Sequence, residues 1–377
     1  MAKLGECCYK NLEDVCEILD SQRIPITAKD RKNGEYPYYG ANGIQDYVDD
    51  YIFDDELVLL AEDGGNFGSK ERPIAYRVSG KCWVNNHAHV LKAKNEIDVD
   101  YLCYSLMYYD TSGLVNGATR QKLTQSAMRK MKIPMKTIDE QKRIVSILNN
   151  VVYLNQIRIK ELELLDELVK SRFVEMFGNP EINDMHWDEH KLSDELSVIG
   201  GYAFKSDSFQ EDGIPVLRIG NINAGVFRPI NLVFWEKDDT LFKYLMYPGD
   251  LVMSLTGTVG KDDYGNVCIL GSEYEMYYLN QRNAKLELKD GLDKYYLAEL
   301  LKFSQIKKRL TGISRGVRQA NISNKDILDL SVPIPPMKLQ QQFADFVAQV
   351  DKSKLAVQKS LEQLEILKKS LMQAYFG

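Results

Sequence analysis

The sequence predicts an α+β protein built as a tandem repeat. Two mixed α/β globular parts alternate with two long helices, which pair as an antiparallel coiled coil and relate the copies by an approximate two-fold. Three observations carry this. The helical stretches repeat each other, they share an apolar period near seven, and the segments between them read as short buried strands ended by Gly-rich turns.

The repeat is read directly. Leu162 to Gly178 (LELLDELVKSRFVEMFG) aligns without a gap on Leu361 to Gly377 (LEQLEILKKSLMQAYFG) at an offset of 199 residues. Leu162, Leu165, Leu168, Lys170, Ser171, Phe177 and Gly178 match Leu361, Leu364, Leu367, Lys369, Ser370, Phe376 and Gly377. The same offset sets Ile133-Pro134 on Val332-Pro333 and Gln141 on Gln340.

Each copy therefore ends in a long helix. Thr137-Ile-Asp-Glu140 fits a capping box, in which Thr137 accepts from the first turn and Glu140 reaches back. Pro336 holds the same place in the second copy, where a missing N–H costs nothing. Gly178-Asn179-Pro180 ends the first helix, since Gly admits a left-handed residue and Pro cannot continue a helix. Phe343, Val350, Val357, Leu364 and Leu371 form one apolar row; Ile144, Val151 and Leu165 alternate with Leu148, Leu162, Val169 and Met176 in the other helix. Asn155, Arg158, Lys354 and Lys368 interrupt this seam. A helix of about 60 Å overhangs a small domain and wants a partner, and the other copy supplies one. Two ordinary amphipathic helices on separate domains are the alternative.

The globular parts are less alike. Glu56 to Ala61 (ELVLLA) and Asp250 to Leu255 (DLVMSL) are apolar runs of strand length, followed by the turns Asp63-Gly-Gly-Asn-Phe-Gly68 and Gly257-Thr-Val-Gly260. The expected organisation is 1–135 for the first globular part, 136–180 for the central helix, 184–333 for the second part and 334–377 for the last helix.

Composition narrows the class. Hydrophobic residues make up 44% and charged residues 27%, which suits a folded chain rather than a disordered one. No apolar run reaches the length of a membrane span and MAKLGECCYK lacks the core of a secretory signal, so a cytoplasmic protein is expected. The six Cys include no Cys-x-x-Cys pair, which favours reduced thiols.

The net charge of −6 looks unsuited to nucleic acid, but binding depends on where charge sits. From Thr111 to Ile138 there is no acid, and the segment carries Arg120, Lys122, Arg129, Lys130, Lys132 and Lys136. From Leu300 to Lys325 there is again none, with Lys302, Lys307, Lys308, Arg309, Arg315, Arg318 and Lys325. Asn116 to Gln121 aligns with Arg315 to Gln319 if one gap is allowed. A Gly-rich turn carrying Arg-Gln suits backbone approach to phosphate and side-chain reach to base edges. Two such windows at corresponding places of a duplication point to DNA.

Catalytic motifs are wanting. His87-Ala-His89 and His186-Trp-Asp-Glu-His190 complete no ligand set, so no metal is expected. Gly257-Thr-Val-Gly-Lys261 is too short for a phosphate loop. Ile334-Pro-Pro-Met337 lacks the polar first and aromatic last residues of an amino-methyltransferase tetrapeptide.

The long helices, the Ile133-Pro134 and Val332-Pro333 pairs, the Gln-rich helix starts at Gln141 and Gln340 to Gln342, the Phe-Gly ends and Gly117 to Leu123 together resemble the specificity subunit of type I restriction-modification systems, over essentially the whole chain. The resemblance implies two target-recognition domains, each reading one half of a bipartite site in double-stranded DNA. It implies helices that set spacing and dock two methyltransferase subunits, which use S-adenosylmethionine to methylate adenine N6. It implies two motor-nuclease subunits using ATP and Mg²⁺ to cleave unmodified DNA. This chain would be non-catalytic and bind no cofactor. A stand-alone DNA-binding regulator and a coiled-coil scaffold with no DNA role are the alternatives. Expected DNA contacts are Lys70, Arg72, Arg120, Gln121 and Lys122 in the first part, and Arg218, Lys261, Arg282, Arg315, Arg318, Gln319 and Asn321 in the second. The recognition parts vary across the family, so the sequence read does not carry over.

Overall fold

A computed structural model of the chain describes residues 8–117, 120–261, 263–312 and 319–377, with Gln319 described by its backbone alone. The chain divides into two compact units, Met1–Ile159 with Lys359–Gly377, and Lys160–Gln358. Each unit owns one globular part and half of each long helix.

In the first unit the strands are β1 (Cys8–Asn11), β2 (Cys16–Ile18), β3 (Asn33–Gly40), β4 (Gly43–Val48), β5 (Phe53–Ala61), β6 (Ala75–Val84) and β7 (Ala88–Ala93), followed by β8 (Val115–Asn116), β9 (Lys122–Leu123) and β10 (Lys132–Met135). The helices are α1 (Leu12–Val15), α2 (Val99–Met107) and α3 (Gln125–Arg129), then the start of α4 (Ile138–Phe177). Six strands form a sheet in the order β2-β7-β5-β6-β3-β4, in which only the β3–β6 pairing is parallel. The run Glu56 to Ala61 lies in β5, and from Leu57 onward it is buried on both faces. Val58 and Leu60 enter one cluster with α2, α3 and the helix ends, while Leu57 and Leu59 enter another. That explains a continuous apolar run where a one-sided strand would alternate.

The second unit carries β11 (Glu189–Lys191), β12 (Leu196–Gly200), β13 (Ile214–Leu217), β14 (Val233–Trp235), β15 (Leu245–Met246), β16 (Leu251–Ser254), β17 (Thr256–Thr258), β18 (Val267–Ile269), β19 (Tyr277–Leu279), β20 (Asn283–Leu288), β21 (Gln319–Asn321) and β22 (Ser331–Pro333). Its helices are the rest of α4, then α5 (Leu192–Glu195), α6 (Lys294–Leu300), α7 (Ser304–Thr311), α8 (Asn324–Leu328) and the first half of α9 (Met337–Phe376). Here the strands split into two four-stranded sheets, β12-β20-β16-β18 and β14-β13-β19-β15, and two two-stranded ones, β11-β22 and β17-β21. The repeated architecture is as the sequence predicts, whereas the sheets themselves differ.

Both long helices are 40 residues long. Thr137 and Glu140 form the expected capping box, and Gly178 takes φ +75° as the helix-ending residue. Within each unit the helices run antiparallel. Ile144, Val145 and Leu148 share a core with Leu371, Met372, Tyr375 and Phe376, while Asn155 further along donates to Glu365, 2.9 Å. In the other unit Phe173 and Phe177 meet Phe343, and Lys354 donates to Asp166, 2.6 Å. The offset of 199 sets Asn155 on Lys354 and Asp166 on Glu365, so one polar contact is used twice.

The same frame bolts each globular part to the helices. Asp98 caps α2 by accepting from Asp100 and Tyr101, and Asp293 caps α6 by accepting from Tyr295 and Tyr296. Gln141 accepts from the Asp98 amide and donates to the Glu96 and Lys136 carbonyls; Gln340 accepts from Asp293 and donates to Gly291 and Pro335. Tyr101 donates to the Pro134 carbonyl and Tyr296 to that of Pro333. The matched Gln and Pro of the sequence repeat are therefore joints.

Candidate nucleic-acid interface

The turn that ends β5 and the basic window meet at one place. The Leu123 amide donates to the Glu62 carbonyl, 2.7 Å, and the Glu62 amide to that of His87, 2.9 Å. Gly64 donates to the Gln121 carbonyl, 3.1 Å, and Asp63 bridges Lys122. Three chain segments thus form a small junction. Its side chains are polar. The Asp63 carboxylate accepts from His87 Nδ1 at 2.6 Å and from Arg120 Nη2 at 2.8 Å. Arg120 lies over Gly64, whose φ is +63°; a Cβ there would sit 3.3 Å from the Arg120 Nε. Glycine at this position accommodates both the backbone and the guanidinium. The Arg120 side chain stays 60% exposed.

Below the junction lies a buried ionic network. His89 Nδ1 meets Asp20 at 2.6 Å and its Nε2 meets the Leu123 carbonyl at 2.9 Å. Both ring nitrogens are thus occupied by oxygen partners, a carboxylate on one side and a carbonyl on the other. Arg23 binds Glu62 at 2.6 Å and lies 3.5 Å from Asp20, and Lys122 lies 3.0 Å from Glu62. Burial pushes the Asp20 carboxyl upward, but the His89 hydrogen bond and charge, the Val90 amide and Gln125 outweigh it and hold the group below its ordinary range. Glu62 follows suit: burial raises it, and the Arg23 and Lys122 hydrogen bonds outweigh that and hold it below its ordinary range. Asp20, Glu62 and His89 lie close enough to resemble a metal ligand set. Yet both ring nitrogens already face oxygen partners, and Arg23 and Lys122 already pair with the carboxylates. The cluster is accounted for as an ionic brace that supports Lys122 and Leu123 from beneath.

The second unit builds the junction again. The Ile322 amide donates to the Leu255 carbonyl and the Leu255 amide to that of Arg282, both 2.9 Å. β17 pairs with β21, Thr256 opposite Asn321, Gly257 opposite Ala320 and Thr258 opposite Gln319. Thr258 is further tied to Asp263 through its amide and hydroxyl. This register corrects the gapped alignment of the basic windows. Lys122 corresponds to Asn321, Gln121 to Ala320 and Arg120 to Gln319, at the same ungapped offset as the helices.

The expected contact residues fall as follows. Lys70, Arg72, Arg120, Gln121 and Lys122 are exposed in the first unit, and Arg218, Lys261, Arg282 and Asn321 in the second. Arg120, Gln121 and Lys122 line the first junction; Arg282 and Asn321 belong to the second. Arg218 is held at the Asn231 carbonyl, 2.5 Å. Arg315 and Arg318 lie outside the described residues, as does the side chain of Gln319. The basic windows are not uniform faces: Arg129 is drawn to Glu13, and Lys307 is buried with its ammonium 2.6 Å from Asn266. Asp63 and His87 escaped the sequence reading. Asp63 was visible only as a turn residue, and His87-Ala-His89 only as an incomplete ligand pair.

The sequence profile described as "Type I restriction modification DNA specificity domain" matches residues 6–168 and 185–366, nearly the whole chain in two copies. The chain belongs to the type I restriction-modification DNA specificity family. Its relatives include a Haemophilus influenzae protein provisionally named a type I restriction enzyme specificity subunit, 27% identical over 91% of this chain and 87% of that one. The MjaVIII specificity subunit of Methanocaldococcus jannaschii is 26% identical over 95% and 89%. The type I restriction-modification S subunit of M. genitalium shares the fold, with TM-score 0.61 and 15% identity over 100% of this chain and 98% of that one. As a family member the chain is a specificity subunit, serving DNA recognition rather than catalysis. Among its described residues no helix is long and apolar enough to cross a membrane.

Proposed function

We propose that each unit of this specificity subunit reads one half of a bipartite site in double-stranded DNA, and that the junctions present the reading face. The twice-built junction carries this reading. It places the exposed Arg120, Gln121 and Lys122 in one unit, and Arg282 and Asn321 in the other, on equivalent backbone. Lys70, Arg72, Arg218, Lys261, Arg315, Arg318 and Gln319 complete the proposed contact set.

Two methyltransferase subunits would dock along the helices, where Tyr153, Leu154, Ile157, Leu164 and Leu168 expose apolar surface. In the cytoplasm those subunits would methylate adenine N6 using S-adenosylmethionine. Two motor-nuclease subunits, using ATP and Mg²⁺, would cut unmodified DNA. This chain would hold none of these cofactors and contribute only the choice of sequence.

The test is adenine methylation across the host genome with and without this gene. A two-part motif that disappears with the gene is expected. Unchanged methylation would overturn the reading.

A further inference from the structure

Two copies of one frame differ in an ordered way. The residues that hold the frame are kept: Asp98 and Asp293, Tyr101 and Tyr296, Gln141 and Gln340. At the junction the backbone bonds are also kept, yet the side chains standing on them are not. Where the first unit has Asp63, His87 and Arg120, the second has Thr256, Arg282 and Gln319. Structural drift would not spare the main-chain bonds and change the residue at all three positions. Two readers that must distinguish different half-sites would do so.

We infer that these three positions in each unit determine which bases its half-site contains, with Arg120 reading a guanine in the first. The inference rests on the DNA-reading role proposed above. Arg120 is already oriented: Asp63 fixes one end of its guanidinium, and His87 Nδ1 fixes Asp63. The rest of the group remains exposed above Gly64. A fixed fork with free N–H donors matches the O6 and N7 acceptors of guanine in the major groove. Pre-orientation also removes rotamer entropy that a loose side chain would lose on binding. Asp63 and His87 are then positioning residues.

In the second unit the arginine stands at the position of His87, in the turn before β20. Arg282 forms no ion pair among the described residues and is exposed. At the Asp63 position Thr256 keeps a buried hydroxyl with no hydrogen-bond partner among the described residues. The second junction therefore has no carboxylate at the Asp63 position, and its base preference is set by a different geometry.

The experiment uses the full chain expressed with its methyltransferase subunits in a host lacking the system, with methylated motifs read by single-molecule sequencing. Arg120→Ala is expected to cut discrimination at one position of one half-site by about tenfold or more, a range typical of a lost bidentate base contact. Asp63→Asn should weaken preference at that same position several-fold. Arg282→Ala should change only the other half-site. Identical motifs in Arg120→Ala and Arg282→Ala, or an even loss of methylation at every motif, would overturn the inference, because phosphate contacts act evenly across sequences. If the wild-type chain directs no motif-specific methylation, the DNA-reading role itself falls, and this inference with it.

Discussion

The ring of Phe376 lies 5.1 Å from that of Tyr101, tilted by 60°. Its counterpart is Phe177 against Tyr296, 4.8 Å and 76°. Each aromatic comes from the helix that ends the other copy of the repeat. Neither globular part completes its core with its own helix end, and this ties the two copies into one molecule.

The two contacts differ in weight. Phe177 is 3% exposed and packs with Phe173, Tyr296 and Phe343, whereas Phe376 is only partly buried. Phe177→Ala should cost about 3–5 kcal/mol and Phe376→Ala roughly half that. Hydrogen exchange should show loosening around Tyr296 in the first variant and around Tyr101 in the second. Loosening in the reverse units would contradict the exchange of helix ends.

Gln141 and Gln340 are each fully buried and satisfied by three hydrogen bonds to backbone. Replacing either by Ala strands one amide and two carbonyls, at about 2 kcal/mol apiece by loss of buried partners. The positions share no contacts, so urea titration of the double variant should give the sum of the two single losses.

Asn155 breaks the apolar seam with a side-chain oxygen that has no partner among the described residues. Asn155→Leu should stabilise the chain by about 1 kcal/mol, since the exposed Glu365 can turn to water. A melting temperature raised by about 2–4 °C is expected. A fall would mean that the polar contact outweighs burial of the leucine.

Asp20 and Glu62 titrate below their ordinary values of 3.8 and 4.5. A carboxylate depressed in the folded state stabilises it above the unfolded pKa, and the contribution is lost as pH falls through the folded value. Stability should therefore hold at neutral pH and decline below about pH 4.5. Asp20→Asn should cost about 3 kcal/mol at pH 7 by removing the buried carboxylate that His89, the Val90 amide and Gln125 all bind. Its deficit against wild type should shrink as the pH is lowered; denaturant midpoints measured from pH 3 to 7 check this.

The uninterrupted α4 makes spacing a testable property. Four residues inserted after Leu162 add about one turn and about 6 Å, keeping the seam in face. The preferred spacer between half-sites should lengthen by about one or two base pairs, each about 3.4 Å, with both half-site sequences unchanged. An unaltered spacer, read by methylation of DNAs differing only in spacing, would make the helices docks rather than rulers.

The repeat, both helices, the capping box at Thr137 and the stop at Gly178 were legible in the sequence. Each depends on residues a few positions apart or on identity between two stretches of chain. The short runs at Glu56 and Asp250 announced strands, though not their sheets. The basic windows pointed to the right places, but their alignment needed the pairing of Thr256 with Asn321 to remove the false gap.

What the sequence determined by itself was therefore local and periodic: two copies, two long helices, strand-rich parts between them, and an absence of acids around Arg120 and from Leu300 to Lys325. Only the tertiary structure decided that Asp63 and His87 hold Arg120, that His89 sits between Asp20 and Leu123, and that Lys307 turns inward. Those outcomes join residues tens of positions apart, and no helical or strand period relates them. They arise because burying β5 on both faces draws the turn after it, the start of β7 and the basic window to one place. There each charge must find a partner or remain at the surface.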